Sequence, residues 1–124
     1  MAKIITTDKA PAAIDPYSQA IVVGNIVYTS GQIPIDPGSG AIETTDITMQ
    51  TEQVMRNLSA VLEAAGSSFK KVAKTTCFLA DISLFSRFNE VYAKYFTNMP
   101  ARSCMAVKDL PKGALVEVEV IAEI

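Results

Sequence analysis

The chain has 124 residues, 49% of them apolar, and a formal net charge of −2; mean hydropathy is +0.25 and the isoelectric point about 5.0. That length fits one domain spanning residues 1–124, apolar enough to expect a face buried against another copy. The 11 Lys and Arg residues are scattered, with only Lys70 and Lys71 adjacent, and no apolar run approaches a membrane span, so neither a nucleic acid nor a membrane is an expected partner.

"MAKIITTDKAPAA" lacks the apolar core of a secretion signal, which points to a cytoplasmic protein. Histidine is absent, which excludes a Ser-His-Asp triad in this chain. Cys77 and Cys104 alone do not make a tetrahedral metal site, and a structural disulfide is not expected in a reducing compartment. The 6 glycines are scattered and form no phosphate-binding loop.

In chain order, "AIVVGNIVYTSG" gives two strands split by Gly24-Asn25, a two-residue hairpin signal. "QIPIDPGSGAIE" reads as loop, broken by Pro34, Pro37, Gly38 and Gly40. From Ile47 to Ala65 apolar residues recur at helical spacing, with Asp46 as N-cap and Gly66 just past the end. "KVAKTTCFLA" is a strand. A second helix follows Asp81 or Ser83 and carries Phe85, Phe88, Val91, Tyr92, Tyr95 and Phe96 as a core-facing stripe. "RSCMAV" and "ALVEVEVIAEI" are the last strands, joined by "KDLPKG". The expected fold class is α+β, one sheet with both helices on one face. Another subunit is expected to cover the other face.

Alternation along a strand puts Arg102 and Cys104 on one side. In the last strand Val116, Val118, Val120 and Ala122 share a face, with Glu117 and Glu119 opposite. If these two strands pair through the short loop, Arg102, Cys104, Glu117 and Glu119 cluster on the sheet face the helices leave open. A guanidinium there can grip a carboxylate through two parallel hydrogen bonds. A nearby carboxylate can take a proton from water, and a neighbouring glutamate would raise its proton affinity. A thiol beside Arg102 would lean toward thiolate. On spacing alone, a structural ion pair of Arg102 with Glu117 or Glu119 is the first expectation. Tyr17 and Ser30 offer hydroxyls, and Gly31 allows close backbone approach.

Five stretches, "APAAIDPYSQAI", "YTSGQIPIDP", "FNEVYAKYF", "PARSCMAV" and "LPKGALVEVEVIA", together resemble the RidA (YjgF) family over essentially the whole chain. The resemblance implies a chorismate-mutase-like fold with one mixed, mainly antiparallel sheet. It also implies a homotrimer with a central β-barrel and ligand sites between subunits. The implied activity is hydrolytic deamination of 2-imino acids such as 2-iminobutanoate and 2-iminopropanoate to 2-oxo acids and ammonia, with no metal or organic cofactor, protecting pyridoxal-phosphate enzymes. Arg102 matches the family's carboxylate-binding arginine. Tyr17, Ser30, Gly31, Asn89, Cys104 and Glu117 match other cleft positions, with Arg102, Glu117 and Cys104 as the catalytic set. The alternatives are a non-catalytic ligand-binding regulator or, as a third reading, a ribonuclease or translation inhibitor. Where many members carry glycine before "PYSQ", this chain has Asp15, so backbone strain or altered substrate preference is expected there.

Overall fold

Segments rich in β-branched residues form strands, and the two segments with 3.6-residue apolar spacing form helices. The computed structural model describes residues 1–124 and runs β1 (Lys3–Ile5), β2 (Ala20–Val23), β3 (Ile26–Thr29), β4 (Ile35–Asp36), β5 (Ala41–Ile42), α1 (Ile47–Ala64), β6 (Val72–Leu79), α2 (Phe85–Tyr95), β7 (Ala101–Ala106) and β8 (Val116–Glu123). β1 lies outside the sequence expectation. So does a small ribbon of β4 with β5, formed inside the stretch expected to be loop.

The expected helix ends are present. Asp46 Oδ2 accepts the Met49 N–H at 2.9 Å. Past the other end Gly66 takes φ +82°, while Gly66 N–H donates to Glu63 O and Ser67 N–H to Leu62 O. These paired bonds satisfy the last free carbonyls of α1. Gly24 leads the β2–β3 hairpin turn at φ +60°, a conformation that suits glycine.

The main sheet has strand order β1-β2-β3-β8-β6-β7. Every pairing is antiparallel except β6 with β7. One core cluster joins Val54, Leu58, Val61 and Leu62 of α1 and Phe88 and Val91 of α2 to Val116, Val118, Val120 and Ala122 of β8. Burying each Leu or Phe there stabilises the fold by about 1.5–3 kcal/mol. Both helices thus cover one face. On the other face an in-register row, Ile4, Ile21, Tyr28 and Ile121, crosses four strands; Ile4 is 65% and Tyr28 47% exposed. No helix is long and apolar enough to cross a membrane.

The pairing corrects the expected cluster. β7 and β8 are not neighbours, because β6 lies between them. The crossover through α2 returns the chain parallel to β6, so β7 takes the sheet edge. The Val107–Leu115 connection then carries β8 to the other side of β6. Cys104 therefore stands opposite Cys77, and Glu117 opposite Phe78. Arg102 stands opposite Thr75, and Thr75 and Cys77 are buried toward the helices. Arg102 and Cys104 share that side, while Glu117 and Glu119 alternate away from the buried Val116, Val118 and Val120. Alternation pairs these residues as expected, but on opposite faces.

Candidate functional site

Four of the expected residues meet in one cleft of about 510 Å³: Tyr17, Ser30, Gly31 and Glu117. The segment after β3 is tied to β8 by two backbone bonds. Gln32 N–H donates to Val118 O at 2.9 Å, and Val118 N–H returns to Gln32 O at 3.2 Å. That tie lays Gly31 against the Glu117 side chain. A Cβ at position 31 would fall 1.9 Å from Glu117 Oε2. Gly31 does not sit in the left-handed region, so glycine serves here by its small size. The close approach is to a carboxylate of the same chain.

Burial pushes the Glu117 carboxyl above the usual range, and the charge of Glu119 pushes it further the same way. It is a carboxylate tuned toward accepting a proton. The Ser30 hydroxyl donates to Ser18 O, and its N–H donates to Gln19 O at 2.9 Å. With its proton committed, the Ser30 oxygen is left to accept from a ligand N–H.

Asp15 lines the same cleft. Its backbone avoids positive φ, so the anticipated strain is absent. Its carbonyl accepts the Tyr17 N–H at 2.7 Å, and its side chain lies exposed beside Tyr17.

Three buried amides fix the walls, and the sequence reading missed all of them. Gln19 accepts the Thr7 N–H at 2.7 Å and donates to Pro11 O at 2.8 Å, pinning the N-terminal strap. Asn57 donates to Ile33 O and Ile35 O from α1. Gln50 accepts the Leu115 N–H at 2.9 Å and donates to Thr44 O at 2.8 Å. Each satisfies buried backbone that a loop would otherwise leave unpaired. For Asn57 the available signal was a short polar residue inside the apolar stripe of α1.

Arg102 and Asn89 line a different cleft, of about 660 Å³. Arg102 Nη1 donates to Asn89 Oδ1 at 2.7 Å. Guanidinium only donates, so the Asn89 oxygen must face it and the amide N–H₂ points elsewhere. The bond uses one guanidinium N–H, and the others remain to grip a carboxylate. The guanidinium carbon lies 4.6 Å from the Tyr92 ring centroid and 5.4 Å from that of Phe85. Both rings also pack on the core, as their place in the apolar stripe of α2 leads one to expect.

The ion-pair reading of Arg102 is resolved by geometry. The single side-chain ion pair joins Lys94 to Glu52 between the helices, and Arg102 has no carboxylate partner. Cys104 is half-buried beside it. Burial pushes that thiol up and Arg102 pulls it down by less, so the expected thiolate is corrected to a neutral thiol. Cys77 is fully buried core, pushed up to about 12 chiefly by burial. Both cysteines are free.

This is a Rid-type α+β domain with two clefts of opposite chemical character. The chain belongs to the RidA (YjgF) family, whose description is Endoribonuclease L-PSP and which it matches over residues 7–124. It is 54% identical over 123 residues to a Lactococcus lactis protein named as a regulator, AldR, covering 98% of either chain. It is 46% identical over 121 residues to human 2-iminobutanoate/2-iminopropanoate deaminase, covering 97% of this chain and 88% of that one. Among solved structures, a Rid-family protein of unknown function from Yersinia pestis superposes with a TM-score of 0.97 at 50% identity, with 100% of each chain covered.

Proposed function

We propose that this protein hydrolyses reactive 2-imino acids, such as 2-iminobutanoate and 2-iminopropanoate, at sites shared between subunits of a homotrimer. One observation carries the reading. Arg102, a cation without a counter-ion, and Glu117, a carboxylate raised by burial, lie on opposite faces of one sheet. A 2-iminium acid has a carboxylate at one end and a cationic C=N at the other. Each half-site suits one end, and the two can combine when Arg102 of one copy meets Glu117 of the next.

Two features support assembly. β7 is an edge strand on which only Cys104 is even partly buried, and such an edge invites cover. The row Ile4, Ile21, Tyr28 and Ile121 gives the uncovered sheet face an apolar surface of the kind permanent interfaces bury. Three copies turning these faces inward form the central barrel.

In the reaction, Arg102 and the Asn89 amide hold the substrate carboxylate. The Ser30 oxygen accepts an N–H of the iminium. Water adds its oxygen to C2 as the C=N π electrons move to nitrogen, and Glu117 takes the water's proton. Glu117 then returns that proton to the amine, the C2–N bond breaks and its electrons leave with ammonia, and the carbinol oxygen closes to the ketone as its own proton passes through Glu117 to the departing ammonia. The products are a 2-oxo acid and ammonium, and water is the only co-reactant. Cys104 lines the Arg102 side as a neutral thiol. Placement of charge does most of the work, because an iminium is already electrophilic. Removing such imines protects pyridoxal-phosphate enzymes from inactivation.

The regulator name of the Lactococcus relative favours a second reading, in which the site binds 2-oxo acids without turnover. Coupling the protein to threonine dehydratase, with semicarbazide as competing trap, separates the two. Faster 2-oxobutanoate release is expected; an unchanged rate together with measurable 2-oxobutanoate binding would favour the regulator. A ribonuclease reading gains nothing from a cleft in which Asp15, Glu117 and Glu119 outnumber the single cation Lys112, a balance that disfavours phosphate.

A further inference from the structure

We infer that Tyr92 and Phe85 are positioning residues that seat the Arg102 guanidinium in place of a counter-ion. The inference rests on the proposed role of Arg102 as the carboxylate-binding group.

Arg102 projects from an exposed edge strand, where a long side chain would ordinarily sample many rotamers. Here α2 supplies a fixed bed. Phe85, Asn89 and Tyr92 stand at i, i+4 and i+7, one stripe of a helix. Asn89 holds one edge of the guanidinium, and the two rings face it at 5.4 and 4.6 Å. Both distances fall within the range where a ring attracts a cation.

Tyr92 is itself anchored. It is 7% exposed, and its hydroxyl shares a buried hydrogen bond of 2.8 Å with Thr75 Oγ1. Thr75 is the β6 residue directly opposite Arg102 in register. The circuit therefore closes from Arg102 through its strand partner Thr75 to Tyr92 and back to the guanidinium. A shift of α2 against the sheet edge cannot move the ring without breaking a buried bond.

The chemistry of the seat matters as much as its rigidity. A carboxylate in this place would also fix Arg102, but it would neutralise the charge and compete with an anionic ligand. Aromatic faces and one amide oxygen hold the cation and leave its charge for the substrate. Burial pushes the Tyr92 phenol up, so it stays neutral beneath the guanidinium. A lysine at position 102 would use this bed less well, because a flat guanidinium stacks on a ring and presents a fixed fork of donors, whereas an ammonium is a strongly hydrated point charge.

The test combines kinetics with a spectroscopic readout on the full-length protein. Tyr92→Leu is expected to raise KM for 2-iminobutanoate about tenfold, and Phe85→Leu about threefold, with kcat within about twofold of wild type. Tyr92→Phe keeps the ring and is expected to stay within about threefold. In the Arg102→Lys background, Tyr92→Leu is expected to cost less than it does beside arginine. In a 1H–15N spectrum the Arg102 Nε–H signal of wild type is displaced by ring currents, and Tyr92→Leu returns it toward the position of a free arginine. Should Tyr92→Leu fail to fold, Phe85→Leu, on the partly exposed side of the seat, carries the same comparison. A folded Tyr92→Leu protein with unchanged KM and an unmoved Nε–H signal overturns the inference. Wild-type protein that neither turns over imine nor binds 2-oxobutanoate defeats the proposed function instead. The Nε–H signal then decides the seat alone.

Discussion

The two half-sites hold their charges by opposite means. Glu117 sits half-buried against Gly31, with a second carboxylate nearby, and its environment favours the protonated form. Arg102 lies exposed on an edge strand over two rings, with no opposite charge near it. One group is made reactive by a surrounding that disfavours its charge. The other is made available by a bed that leaves its charge unneutralised. The proposed 2-iminium acid, with charges of both signs, would need both treatments, and a single sheet face would let Arg102 and Glu117 pair with each other.

The largest effect tests this separation directly. Arg102→Ala is expected to lower kcat/KM for 2-iminobutanoate about a thousandfold with the fold intact by circular dichroism. Unfolded and refolded together in equal amounts, Arg102→Ala and Glu117→Gln chains are expected to regain activity at about one site in four, the fraction random assembly gives sites with both groups intact. Sites built within one chain would regain none. The assembled mass expected by light scattering is three times the 13.3 kDa chain.

Glu117→Gln alone is expected to lower kcat about a hundredfold. Its effect on stability runs the other way. The folded carboxyl binds a proton more readily than the unfolded one, so wild-type stability falls as pH rises from the unfolded pKa through the raised folded one. Glutamine carries no charge to bury and is expected to melt higher than wild type at pH 7. Thermal unfolding at pH 4 and pH 7 checks this, since the gap should narrow at the lower pH.

Gly31→Ala sharpens the comparison from the backbone side. The new Cβ displaces the Glu117 carboxylate rather than any strand. Activity is expected to fall about tenfold to a hundredfold, because ångström-scale misplacement is that costly. The melting temperature should move little, as the far end of a flexible side chain yields cheaply.

Several of these positions could be read from sequence, and the reasons for the others are specific. Alternation correctly placed Val116, Val118 and Val120 inward and Glu117 and Glu119 outward, because the period of a strand is a local property. Alternation says nothing of which strand lies alongside. "KDLPKG" resembles a hairpin connection, yet the crossover through α2 claims the β6 edge first and sends β8 to its other side. Phe85 and Tyr92 fit a core stripe so well that their second role, facing Arg102, left no separate trace in spacing. β1 is a three-residue strand held by β2, too short for any periodicity to declare it.

The smallest expected effect asks whether the acidic half-site depends on its neighbour. Two causes raise Glu117: burial first, then the charge of Glu119. Glu117 must be deprotonated to accept a proton from water, so kcat/KM falls as pH drops through its folded pKa. Glu119→Gln removes only the second cause. The acid limb of the pH profile is therefore expected to move to lower pH without reaching the position of an ordinary exposed glutamate. Arg102→Lys, which alters the other half-site, should leave that limb where it is while raising KM. An acid limb that stayed fixed in Glu119→Gln would mean burial alone tunes Glu117. A limb that moved with Arg102→Lys would mean that the two half-sites sense each other's charge and are not independent.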